Sequence, residues 1–316
     1  MTSEKVDYWQ KKTILVTGAH RTGTTWVGKM LAAGREVAYV SEPLNRWHRS
    51  GVMRAPVQHW YTYICEDNEA DFLPALQETR RFEYHTLSEL RSIASPKDLL
   101  RMVRDWSIFF TGRRYHQTLL IKDPFAVFSA AWFARRLDSM VVFTIRHPAA
   151  FVSSLKKLGW SFDFSDLLGQ PLLMRDWLET YRSEMEEMLK DPQDVVTGGT
   201  LLWRMIYTVV GQLCDRFPSF QVIRHEDASR DPVACFRQLY IDLDLQFTPR
   251  IIRAIRDSSG EKNPGELSRR KVHSVKLDSR ANLENWKRRL SEEEIARIRC
   301  LTAVVSDRYY RSDEWH

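Results

Sequence analysis

Thr13–Thr17 (TILVT) runs directly into Gly18-Ala-His-Arg-Thr-Gly-Thr-Thr25, and a helical pattern follows from Thr24 to Ala33. Few folds accommodate that order. A short β-branched apolar run without polar alternation predicts a strand buried on both faces, as in parallel sheets. A strand that passes through G-x-x-x-x-G into a helix makes a phosphate-binding loop. Glycine lets the backbone wrap, and the loop N–H groups and helix N-terminus face an anion. The plainer alternative is a tight strand-to-helix turn.

Two departures separate this loop from those of nucleoside triphosphatases. Thr24 stands where the phosphate-gripping lysine would be, and no apolar run ends in an Asp that would hold Mg²⁺. A cation sits inside the loop instead, at Arg21. The expected ligand carries a short anionic group and no metal is expected, which disfavours γ-phosphoryl transfer. A second anion site follows Met140–Ile145 (MVVFTI), which ends in Arg146, with Ser154 eight residues on in a helix opened by Pro148. Arg146 lies where ligands of parallel α/β sheets bind, and it can converge with Ser154 on one phosphate. An exposed arginine is the bland alternative.

Further strands are predicted at Glu36–Val40, Leu119–Ile121 and Phe220–Ile223. Helices are predicted over Ala126–Leu137, Gln170–Leu189 and Thr200–Phe217, and from Asp231-Pro232 to near Leu243. Ser291-x-x-Glu294 is a capping box opening a helix with Ile295, Ile298, Leu301 and Val305 on one face. Residues 49–117 are mixed and aromatic and read as short helices, and 258–282 read as a long polar, basic loop. Strands alternating with helices predict an α/β chain: a P-loop-containing nucleotide-binding fold with a central parallel sheet and helices on both faces. No linker divides residues 1–316, so one domain is expected.

The 316 residues are 43% hydrophobic and 28% charged, which excludes a disordered or low-complexity chain. A net charge of +6 suits an anionic ligand but falls short of a polybasic tail. With no helix–turn–helix or zinc spacing, no nucleic-acid partner is expected. No apolar run approaches the ~20 residues of a membrane span. Met1–Lys12 carries charges of both signs and no apolar core, so it does not read as a signal peptide. The four cysteines are far apart and form no CxxC pair, so they read as free thiols and a cytoplasmic location is expected.

At this point the motifs resemble a known family. Arg21-Thr-Gly-Thr-Thr-Trp26 resembles the 5′-phosphosulfate loop of sulfotransferases, and Arg146-His-Pro … Ser154 their 3′-phosphate site. Ile223-Arg-His-Glu-Asp227 with Asp231-Pro232 looks like their strand-end Arg-Tyr-Glu-Asp … Asp-Pro segment, with His225 in place of the usual aromatic. Ser41-Glu42-Pro43-Leu44 and Asp278-Ser-Arg … Trp286-Lys-Arg-Arg-Leu290-Ser are similar to motifs of the carbohydrate branch, especially the N-acetylglucosamine 6-O type. The animal members' membrane anchor is absent, which points to a soluble bacterial relative.

The resemblance implies a donor, 3′-phosphoadenosine 5′-phosphosulfate, and a hydroxyl acceptor that is a saccharide or glycoconjugate. That donor accounts for both loop departures, because it has no β/γ-phosphate to be held by Lys or Mg²⁺. Arg21, Thr22, Gly23, Thr24, Thr25 and Trp26, with Arg146 and Ser154, are the expected donor contacts. Arg21 is expected to neutralise the leaving phosphate. Lys122, at a strand end before Asp123-Pro124, corresponds to family lysines that touch the sulfonate; an ordinary strand-end lysine is the alternative. Pro124 occupies the place of the histidine base of cytosolic relatives. Glu42 is then the candidate base, with His48 and Asp123 as alternatives. Arg269, Arg270, Lys271 and Lys276 would close over the 3′-phosphate, meet an anionic acceptor or remain solvated. Trp47, Trp60 and Trp160 would stack on a sugar face, though ordinary packing is the favoured reading. A kinase-like P-loop phosphotransferase and a catalytically silent nucleotide-binding module are the competing functions.

Overall fold

The computed structural model describes residues 12–191, 194–266 and 275–315. The expectations for residues 1–11 and for Arg269, Arg270 and Lys271 lie outside the described residues.

Five strands form one parallel sheet: β1 Thr13–Gly18, β2 Val37–Ser41, β3 Thr118–Lys122, β4 Ser139–Ile145 and β5 Gln221–Arg224. Their spatial order is β2-β3-β1-β4-β5. β1 therefore sits at the centre, and its C-terminal end, where the glycine loop leaves, faces the ends of β3 and β4. The register places Gly18 opposite Thr144 and Val16 opposite Lys122. Alternate side chains of each strand enter different cores, the two-sided burial expected of a parallel sheet. On one face Ile14, Val16, Leu120 and Val142 pack with helices Thr24–Leu31, Pro232–Asp242 and Pro249–Ser259. On the other, Leu15, Ile121, Phe143 and Ile145 meet helices Ala130–Leu137, Pro148–Leu158 and Val195–Arg216.

The capping box forms as read: Ser291 accepts from the Glu294 N–H, and Glu294 accepts from the Ser291 N–H. The buried line of that helix is Ile298, Thr302 and Ser306, however, while Leu301 faces solvent. The predicted Gln170–Leu189 helix is broken. Short turns at Pro171–Leu173, Met174–Leu178 and Glu179–Tyr181 precede a helix at Arg182–Lys190. Ser258 and Ser259 belong to the Pro249–Ser259 helix rather than to a loop. Within 49–117 the structure holds a 19-residue helix, Pro96–Arg114, longer than the short ones expected. Ser95 caps it, with Pro96 at its first position, where a missing N–H costs nothing.

Candidate active site

The loop after β1 is shaped by three residues of positive φ: Gly18 (143°), Arg21 (67°) and Gly23 (97°). Glycine is required at 18 for a second reason, since a Cβ there would lie 2.4 Å from the Thr144 carbonyl oxygen. The helix that starts at Thr24 has Gly23 as its N-cap, without a side-chain cap. Its first N–H groups are thus presented to an anion rather than satisfied internally. Thr22 departs from expectation. Its hydroxyl turns inward, donating to the Ala19 carbonyl at 2.6 Å and pairing with Thr144 Oγ1 at 2.7 Å. The side chain fastens the loop to β4, and Thr22 does not line the cavity beside it.

The loop opens into a cavity of about 750 Å³, a size typical of cofactor and substrate sites. Arg21, Gly23, Thr24, Thr25, Trp26, Arg146 and Ser154 all line it. Arg21 Nε donates to Ser154 Oγ at 3.3 Å, and an Arg146 Nη donates to the Arg21 carbonyl at 3.4 Å. Arg146 Nε is buried without a hydrogen-bond partner. Burial pushes the Arg146 guanidinium down to about 10, against the pull of the Glu226 carboxylate; burial lowers Arg21 as well. Partly desolvated cations on a cavity wall can hold a dianion. Trp26 is oriented by donating from Nε1 to Ser258 Oγ at 3.0 Å, and its edge meets the His225 ring.

Glu42 follows β2 and Lys122 ends β3, where Ser41 and Lys122 are paired in register. The Lys122 ammonium donates to one Glu42 carboxylate oxygen, and Asn45 Nδ2 donates to the other at 2.8 Å. Glu42 lines the cavity, whereas Lys122 reaches it only through Glu42. The rival bases are placed elsewhere. Asp123 is fully buried and accepts from the Leu44 and Phe125 N–H groups at 2.6 and 2.9 Å. Burial, reinforced by the Glu42 charge, pushes it up to about 7. His48 folds back on the Asn45 carbonyl at 2.9 Å and is not among the cavity's lining residues. Both organise the loop rather than face a ligand.

The packing reading holds for Trp60, which lies against the core with its ring centroid 4.5 Å from that of Phe125. Trp47, Trp60 and Trp160 all line the cavity, and Trp47 is 81% exposed with its edge against Trp60 at 5.2 Å. Lys276 lies away from this cavity, in a neighbouring groove with Arg256 and Arg280. Four further wall residues, His20, Lys157, Glu266 and Arg289, were not singled out by the sequence. His20 pairs through Nδ1 with the Tyr61 hydroxyl at 2.7 Å, and burial followed by the Arg21 charge pushes it down to about 4, so it is neutral. Lys157 and Arg289 converge on Glu266 from two other segments. His20 stands inside the glycine loop and was findable; the Lys157–Glu266–Arg289 cluster is assembled by tertiary folding alone.

A parallel sheet whose central strand turns through a glycine loop toward the half-buried Arg21 and the buried Arg146, with helices on both faces, defines a P-loop-like α/β fold. Residues 13–249 match the model of the sulfotransferase family, and the chain belongs to that family. Among solved structures it resembles the sulfotransferase domain of the Synechococcus PCC 7002 olefin synthase, at 13% identity and TM-score 0.47 over 96% of this chain and 97% of that one. A sulfotransferase from Mycobacterium avium gives 13% identity and TM-score 0.44 over 95% and 77%. One from Alicyclobacillus acidocaldarius gives 17% and 0.40 over 96% and 98%. Among curated proteins none matches. No described helix is long and apolar enough to cross a membrane.

Proposed function

We propose that the protein transfers a sulfonate from 3′-phosphoadenosine 5′-phosphosulfate to a hydroxyl group of a carbohydrate. One observation carries the reading. Arg21, Arg146 and Ser154 converge on one cavity, with an Arg146 nitrogen left unpartnered, and the Glu42 carboxylate lines that same cavity. A desolvated cation pair fits a donor with anionic groups at both ends, and a carboxylate fits the removal of a hydroxyl proton.

The donor supplies the sulfonate and a phosphate leaving group. The chain's own groups do the rest. Arg146 and Ser154 hold the 3′-phosphate, and the uncapped N–H groups at Thr24 and Thr25 hold the 5′ end. Trp26 and His225 offer ring edges to the base. Glu42 takes the acceptor proton as the acceptor oxygen–sulfur bond forms and the sulfur–phosphate oxygen bond breaks in line. Arg21 meets the charge that builds on the departing phosphate, fixed in advance and therefore at no reorganisation cost. Lys122 holds Glu42 in place and adds positive charge beside the sulfonate. Trp47, Trp60 and Trp160 give the acceptor side flat aromatic faces suited to sugar rings. The chain works as one unit, in which residues 49–117 contribute to acceptor recognition through Trp60.

Calorimetry with 3′,5′-adenosine bisphosphate, ADP and ATP, with and without Mg²⁺, tests the donor. The bisphosphate binds most tightly, without metal, and loses affinity in Arg146→Ala. Preference for ATP with Mg²⁺ would instead favour a phosphotransferase. Binding of the sulfated donor without transfer to any member of a saccharide panel would favour a silent binding module.

A further inference from the structure

The two faces of the Pro96–Arg114 helix do opposite things. Asp105, Phe109 and Gly112 face inward, and the helix packs beside β2. Leu99, Val103, Trp106 and Phe110, spaced four, three and four apart, form one line along the outer face. Trp106 and Phe110 are 46% and 55% exposed and stack with ring centroids 5.3 Å apart. Leu100, beside them, is exposed too. A contiguous line of large apolar side chains in water marks a surface that something covers.

Charge identifies the cover. Every exposed charge on this helix is basic: Lys97, Arg101, Arg104, Arg113 and Arg114. Its two acids, Asp98 and Asp105, are partly or fully buried. Arg101 reaches Asp98 at 3.4 Å and Arg104 reaches Asp105 at 2.7 Å, yet both arginines stay more than half exposed. A second copy of the chain on the same face would set cations against cations. A neutral bilayer would leave them uncompensated. An anionic headgroup layer over an apolar interior satisfies both halves of the face, with Trp106 at the boundary its ring prefers.

We propose that this helix docks the protein on an anionic lipid surface. The line from Leu99 to Phe110 enters the acyl boundary, and the five cations lie among the headgroups. The contact is peripheral and reversible, and each cation near the surface strengthens it about fivefold.

Vesicle co-sedimentation of the full chain tests it, with phosphatidylcholine vesicles containing phosphatidylglycerol compared with phosphatidylcholine alone. The chain partitions onto the anionic vesicles at least about tenfold more strongly, and added salt weakens the binding. The L100E/F110E double variant lowers the partition about tenfold or more while its thermal transition and circular dichroism stay as in the parent. R113E/R114E, which leaves the apolar line intact, lowers it comparably. Absence of binding, equal binding to both vesicle types, or binding unmoved by either variant would overturn the proposal. So would a lipid-free dimer at sedimentation equilibrium that L100E/F110E dissociates, because that assigns the face to a second copy.

Discussion

Lys122 and Glu42 are joined twice: the lysine ammonium donates to the Glu42 carboxylate, and the Glu42 N–H donates to the Lys122 carbonyl at 2.8 Å. The lysine is 2% exposed, so the carboxylate has a fixed partner on its inner side and the cavity on its outer side. Glu42 also holds a left-handed φ of 53°, a conformation that costs a non-glycine residue about 1–3 kcal/mol. The strain aims this carboxylate at the cavity, and the double link to Lys122 offsets it.

Replacing Glu42 with Gln keeps the size of the side chain and one acceptor oxygen for Lys122, but its amide nitrogen cannot accept from Asn45 Nδ2, and the base is gone. The turnover rate falls by about 10²–10⁴. Affinity for the bisphosphate product stays within about threefold, because no donor contact is lost. Single-turnover transfer and calorimetry on the same preparation check this. A variant that turns over normally would remove Glu42 from the chemistry. Lys122→Ala lowers the rate by about 10²–10³, the loss typical of one preorganised charge.

Arg146 separates the two ends of the donor. In the proposed complex Arg146 meets the 3′-phosphate with its unpartnered Nε, so Arg146→Ala weakens 3′,5′-adenosine bisphosphate by about 1.5–3 kcal/mol. Adenosine 5′-phosphate, which lacks the 3′ group, is scarcely affected. Ser154→Ala shows the same selectivity at about 0.5–1.5 kcal/mol. Equal losses for both ligands would place Arg146 at the 5′ end instead.

The sheet was readable because each of its strands is a short apolar run bounded by turn residues, and the observed limits differ by no more than two residues from those read. The glycine loop and Arg146 were readable for a related reason, since they follow a strand end directly, and Ser154 by its spacing of eight residues from Arg146, two turns into the Pro148–Leu158 helix. What escaped has non-local causes. The Pro96–Arg114 helix turns Leu99, Val103, Trp106 and Phe110 to solvent, so its apolar residues mark the wrong face of a core. The Pro249–Ser259 helix buries only Ile251, Ile255 and Ser258, and Ser258 matters through Trp26, 232 residues away. The Thr22 hydroxyl is taken up by Thr144 on β4, a partner 122 residues away that the loop's own sequence does not reveal.

Gly18 and Gly159 both have positive φ, but only one is crowded. A methyl at Gly18 would lie 2.4 Å from a backbone oxygen of β4 and 2.8 Å from Thr144 Oγ1, whereas nothing lies within 4 Å of one at Gly159. Gly159→Ala therefore costs about 1–2 kcal/mol, the left-handed penalty alone. Gly18→Ala adds the separation of β1 from β4 and costs upwards of about 3 kcal/mol, with loss of bisphosphate binding. Urea unfolding of the two variants side by side measures the difference, and equal costs would refute it.

His147 follows Arg146 and is enclosed by rings: Trp286 stacks on it at 5.1 Å, and Tyr310 and Trp315 meet it edge-on at 5.0 and 4.3 Å. Neither ring nitrogen has a hydrogen-bond partner, and burial pushes the imidazole down to about 3. A neutral histidine there does nothing that phenylalanine would not do, apart from leaving polar atoms unsatisfied. His147→Phe is accordingly neutral or stabilising at pH 7, by up to about 1–3 kcal/mol. The pH dependence follows from the same displacement. Between about pH 6.5 and 3 the unfolded chain binds a proton at this residue and the folded chain does not, so His147 makes the fold lose stability as pH falls through that window. His147→Phe removes that contribution, and its stability declines less steeply from pH 6.5 downward than the parent's. Urea midpoints at pH 7, 6, 5 and 4 check the slope. Parallel declines in parent and variant would mean that His147 is charged in the folded protein and that the ring cage stabilises the cation.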